Sequence, residues 1–96
     1  MKPSSKTPPG KGKRILVVDD HPLMREGVTR WIRLSPDLEV CGQAGSAEEA
    51  LSLTAKFSPD LVLTDISLAG RNGLELIKDL RALQPDLPVL VLSIHE

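Results

Sequence analysis

The sequence predicts an α/β protein built on a parallel sheet with helices on both faces. Three observations predict it. Residues 15–18, 61–64 and 89–94 are apolar at nearly every position, as strands buried on both faces are. Between such runs lie segments with apolar residues every three to four positions, the spacing of an amphipathic helix. The two kinds of segment alternate along 96 residues, a length that suits one domain.

Order is expected to begin near Arg14. Residues 1–14 carry Lys2, Lys6, Lys11, Lys13 and Arg14 and no acidic residue. Residues 1–13, rich in Pro, Ser, Gly and Lys, read as a disordered basic leader. No apolar stretch follows that would make it a secretory signal, and no aromatic or Arg-rich pattern supports nucleic-acid binding. The remaining chain holds all thirteen acidic residues.

The first strand, residues 15–18, ends at Asp19 and Asp20. Pro22 suits the first turn of a helix, which should run to about Leu34 with Met24, Val28, Trp31 and Ile32 on one face. Trp31 is therefore expected in the core. Ser35-Pro36-Asp37 breaks the helix. Residues 38–43 alternate as a second strand, and the lone cysteine, Cys41, reads there as a small packed residue. Ser46 and Glu49 form a capping box that opens a second helix, to about Phe57. A third strand, residues 61–64, ends at Asp65. A polar loop over residues 67–73 precedes a helix carrying Leu76, Ile77, Leu80 and Leu83 on one side. Pro88 introduces the last strand. Only Trp31 and Phe57 are aromatic, so the core must be aliphatic. No apolar run reaches the roughly 18 residues of a spanning helix.

In open α/β sheets, ligands bind beyond the carboxyl ends of the strands. Those ends carry Asp19 and Asp20, Asp65, and Ser93. A single Asp after a strand is usually a turn or cap residue. Three converging on one edge are costly, because like charges oppose one another's ionisation. A hard divalent cation such as Mg²⁺ removes that cost, and would screen an incoming phosphoryl group from the carboxylate that attacks it.

Three stretches carry a resemblance. Residues 15–28 (ILVVDDHPLMREGV) resemble the opening of a response-regulator receiver domain, in the subgroup usually joined to a LuxR-type DNA-binding module. Residues 59–65 (PDLVLTD) resemble its phosphoacceptor strand, and residues 87–93 (LPVLVLS) its fourth strand. The resemblance implies a flavodoxin-like sheet of order 2-1-3-4. It implies a phosphoryl group passing from a sensor histidine kinase to Asp65, which makes the domain a phosphoacceptor rather than an enzyme. Asp20 and Asp65 would ligate Mg²⁺ directly, Ser67 through its backbone carbonyl, and Asp19 through water. Ser93 would be the switch hydroxyl.

Two departures stand out. Ala69 replaces the usual loop proline. The family's pattern also continues beyond Ser93 with a helix, a strand ending in a lysine and a further helix, so the chain reads as truncated after its fourth strand. The expected partner is a sensor kinase, and the bare edge of residues 89–92 is expected to give a marginal monomer, a dimer paired along that edge, or aggregation. The chain itself is expected to contact neither membrane nor nucleic acid, although the parent protein would bind DNA, and its place would be the cytoplasm. The competing reading is a phosphorylation-incompetent docking module. A flavin or nucleotide site is disfavoured, because the first loop has two acids where a Gly-rich phosphate cradle would stand.

Overall fold

The computed structural model describes residues 12–65, 67–68 and 71–92. In chain order these form β1 (Lys13–Val18), α1 (Pro22–Arg33), β2 (Leu38–Ala44), α2 (Ala47–Phe57), β3 (Leu61–Asp65), β4 (Ser67–Leu68), β5 (Arg71–Asn72), α3 (Gly73–Leu83) and β6 (Val89–Leu92). The main sheet is parallel, with order β2-β1-β3-β6, as expected.

The unbroken apolar run of β1 goes to the middle of the sheet, where both faces exclude water. Ile15, Leu16, Val17 and Val18 are each no more than 3% exposed. Leu16 and Val18 join Ala44, Ala47, Ala50, Val62, Leu76, Leu80 and Leu87 on the side of α2 and α3. Ile15 and Val17 join Ile32 and Leu63 on the side of α1. Side chains alternate across a strand, so β1 feeds both layers in turn. On the second side α1 leaves a groove of about 520 Å³ that runs between Val28 and Leu92 to the acidic edge.

The β1–β2 register shifts between Ile15 and Leu16, whose partners are Val40 and Gly42. Cys41 is the extra residue, half-buried against the core, and burial pushes its thiol pKa up. At Gly42 a Cβ would stand 3.3 Å from Leu16 Cδ1 and from the Phe57 ring, so glycine leaves the room that Phe57 uses.

The ends of α2 follow from its sequence. Ser46 Oγ accepts the Glu49 N–H at 3.1 Å, and Glu49 Oε1 accepts the Gly45 N–H at 2.8 Å. The reciprocal bond thus lands one residue before the N-cap, where a capping box would return it to the cap itself. Ser58 closes the helix in the left-handed region at φ 48°. The Arg14 guanidinium donates to the carbonyls of Phe57 at 2.6 Å and Ser58 at 3.0 Å. Arg14 belongs to β1 and caps the C-terminus of α2, a place where positive charge is favourable.

Three expectations change. Trp31 is 71% exposed, not buried. The buried stripe of α1 runs through Val28, Thr29 and Ile32, and at about 100° per residue Trp31 falls outside it. Leu83 is likewise exposed, while Leu76 and Leu80 are fully buried. The segment expected as a loop is a short antiparallel pair, Ser67 opposite Asn72 and Leu68 opposite Arg71, and Gly73 is already helical. Residues 1–11, most of the expected leader, and Ser93 lie outside the described residues.

Candidate functional site

Register builds the site. Val18 pairs with Thr64, so the residues that follow them, Asp19 and Asp65, leave adjacent strands at the same edge, where neighbouring strands lie about 4.8 Å apart. Asp20 and His21 complete the turn into α1. One ligand atom from each of Asp19, Asp20, His21 and Asp65 lies within 4.8 Å of all the others. Asp19 is buried, with Asp20 and Asp65 half-buried beside it.

The turn is held by its own polar groups. The Asp19 N–H donates to the Ala44 carbonyl at 3.0 Å, extending the β1–β2 ladder by one residue. The Asp19 Oδ1 accepts the His21 N–H at 2.8 Å. That fixes the carboxylate on the chain two residues ahead, the Asx arrangement that suits Asp to turns. Arg25, one turn into α1, donates from Nη1 to the Asp19 carbonyl at 2.7 Å. The Arg25 N–H meets the His21 carbonyl at 2.9 Å as the first bond of the helix.

His21 is the N-cap residue of α1. Its side chain is 67% exposed, yet its Nδ1 turns inward, 2.9 Å from Asp19 Oδ1, 3.0 Å from Asp20 Oδ1 and 3.8 Å from Asp65 Oδ2. Ionised carboxylates only accept hydrogen bonds, so Nδ1 carries the hydrogen. The bond to Asp19 and the charge of Asp20 raise the pKa of His21 above the ordinary imidazole value. Sequence reasoning missed Arg25, although a cation one turn beyond an acidic pair is visible in the sequence.

Oxygen donors from two strand ends suit a hard divalent cation. The family profile described as the response regulator receiver domain matches residues 15–96. The chain belongs to that family. The receiver domain is 43% identical over 83 residues to the transcriptional regulatory protein DegU of Brevibacillus brevis, covering 86% of this chain and 35% of that protein. It superposes on a LuxR-family two-component response regulator from Aurantimonas sp. with a TM-score of 0.84 and 35% identity, over 88% of this chain and 61% of the other. Against the signal receiver domain of the NarL response regulator of Mycobacterium tuberculosis the TM-score is 0.81 at 36% identity, over 90% and 69% of the two chains. The receiver domain spans between 35% and 40% of the length of the curated relatives it matches. Among the described residues no helix is long and apolar enough to cross a membrane.

Proposed function

We propose that this receiver domain accepts a phosphoryl group on a carboxylate oxygen of Asp65, in a Mg²⁺-dependent transfer from the phosphohistidine of a sensor histidine kinase. The observation that carries the reading is the gathering of Asp65 with Asp19 and Asp20 at one sheet edge, their ligand atoms within 4.8 Å.

Asp20 and Asp65 would hold the cation with their carboxylates, the Ser67 backbone carbonyl would join them, and Asp19 would reach it through water. A bound Mg²⁺ offsets the charge of three carboxylates and of the phosphoryl oxygens. The chain's own part is positioning, which dominates phosphoryl transfer because there is little covalent chemistry for the protein to do. Asp65 ends a central strand, its backbone paired with Leu92 of β6 and its neighbour Thr64 with Val18 of β1. The loop carrying Asp19 is fixed by Ala44, His21 and Arg25. The attacking oxygen therefore meets its neighbours without rearrangement. Ser93 would hydrogen-bond the transferred group and move with it, giving the switch its readout.

On this reading the domain is a phosphoacceptor and not an enzyme acting on outside substrates, since the modified group is its own. It works in the cytoplasm, where the kinase presents its phosphohistidine, and DNA contact belongs to another part of the parent regulator. The test is an amide NMR spectrum of the labelled chain with Mg²⁺ and beryllofluoride, a phosphoryl mimic. Shifts that need both reagents and vanish in Asp65→Asn support the acceptor. A dispersed spectrum that ignores both overturns it and leaves a docking module.

A further inference from the structure

We propose that the outer face of α1 binds the same face of a second copy of this chain, the two helices running antiparallel about a two-fold axis. The contact uses none of the acidic residues of the sheet edge.

The face is apolar where the domain leaves it bare. Leu23 is 89% exposed, Trp31 71% and Leu34 81%, while the buried side of the helix runs through Thr29 and Ile32. At about 100° per residue, Leu23, Gly27, Arg30 and Leu34 form one stripe opposite that buried side. Their alternating spacing, four then three then four, is that of the a and d positions of a coiled-coil seam. Gly27 stands within the stripe. A Cβ there would meet nothing within 4 Å, so the domain's own packing does not require glycine. Glycine weakens a helix interior and is suited to the close approach of another chain.

The charges select the occupant. Glu26 and Arg33 flank the stripe on one side, Met24 and Trp31 on the other, all four exposed. Laid antiparallel on its copy, α1 sets Leu23 of one chain against Leu34 of the other. In that register Gly27 makes room for Arg30, Met24 faces Trp31, and Glu26 faces Arg33. Two-fold symmetry makes each pair occur twice. A parallel arrangement sets Arg30 against Arg30 across the seam and leaves Glu26 beside Trp31. The face therefore matches itself in one direction only, as the surfaces of isologous dimers do. A helix of 12 residues gives a contact about 18 Å long, which makes the association weak and reversible.

Sedimentation equilibrium of the whole 96-residue chain tests this, with Leu90→Lys present throughout to disable the β6 edge as a second contact. That chain should remain a reversible mixture of monomer and dimer. Leu23→Lys, Glu26→Arg and Arg33→Glu should each raise the dissociation constant about tenfold, because each change is felt twice in a symmetric contact. The double exchange of Glu26→Arg with Arg33→Glu should recover most of the loss. The substituted side chains are all exposed, and circular dichroism checks that the variants keep their fold. A monomer at every concentration overturns the inference and leaves the face to a helix of another protein. Dimerisation indifferent to Leu23→Lys overturns it as well, as does a double exchange no tighter than the single ones.

Discussion

Arg25 reaches back from the first turns of α1 to the Asp19 backbone carbonyl at 2.7 Å, so the acidic turn is fastened to the helix that follows it. A charge-assisted bond of this kind contributes about 1.5–3 kcal/mol when it is sheltered. Arg25 is only half-buried, which places the expected loss for Arg25→Ala at about 1–2 kcal/mol in urea denaturation. Magnesium affinity should drop in the same variant, and Arg25→Lys should restore part of it. A variant that matches wild type on both counts would remove Arg25 from the site. Gly45→Ala is a milder probe. Its Cβ would come within 2.9 Å of the same Nη1, the far end of a flexible side chain that can swing aside, so a smaller loss than that of Arg25→Ala is expected.

His21 should titrate above the range of an exposed histidine. The bond to Asp19 acts first and the charge of Asp20 second, with partial desolvation opposing them. A pKa raised in the folded state stabilises the fold fully below the unfolded imidazole value, about 6.5. That contribution fades as pH rises through the folded value. In metal-free buffer, ring-proton NMR should show the raised midpoint, and Asp19→Asn should lower it. A midpoint at or below that of free imidazole would contradict the placement of Nδ1.

Leu16 is fully buried at the centre of the larger core cluster. Truncation there removes apolar contacts and leaves a cavity between sheet and helices. Leu16→Ala should cost about 2–5 kcal/mol, read from the shift of the denaturation midpoint. A loss below about 1 kcal/mol would mean that the core collapses freely around the gap.

β6 is one of the two outer strands of the described sheet, with β2 at the other end, and it pairs with β3. Its Leu90 is 53% exposed. Apolar edge strands template pairing with another chain, and lysine on an edge discourages it. Light scattering should show concentration-dependent association of the wild-type chain and a shift toward monomer in Leu90→Lys. Equal masses at all concentrations would argue against the edge as the contact.

Much of this architecture is written in local pattern. Apolar runs marked β1 and β3, which lie inside the sheet, and equally β6, which is an outer strand among the described residues. Asp19, Asp20 and Asp65 could be grouped from sequence because parallel strands expose their carboxyl ends on one edge. Trp31 was misread because α1 has two apolar sides. Counting Met24, Val28, Trp31 and Ile32 as one stripe overlooked Thr29, which is fully buried and whose hydroxyl hides it from a hydrophobic count. The inward turn of the His21 ring depends on a side-chain torsion beside three carboxylates, and spacing along the chain carries no record of it. The β4–β5 pair escaped notice because two-residue strands have no period to detect.

The position of β1 between β2 and β3 has a consequence for how the molecule opens. Its amides are locked into ladders with both neighbours, whereas β6 has a ladder with β3 alone among the described residues. Amide hydrogens at Leu16–Val18 should exchange with solvent only when the whole domain comes apart, and those of β6 through smaller fluctuations. The Asp19 N–H, bonded to Ala44 just past the end of β1, should share the slow class. Asp19 is thus anchored to the part of the chain that opens last, whereas Asp65, paired with Leu92, feels the fluctuations of the far strand.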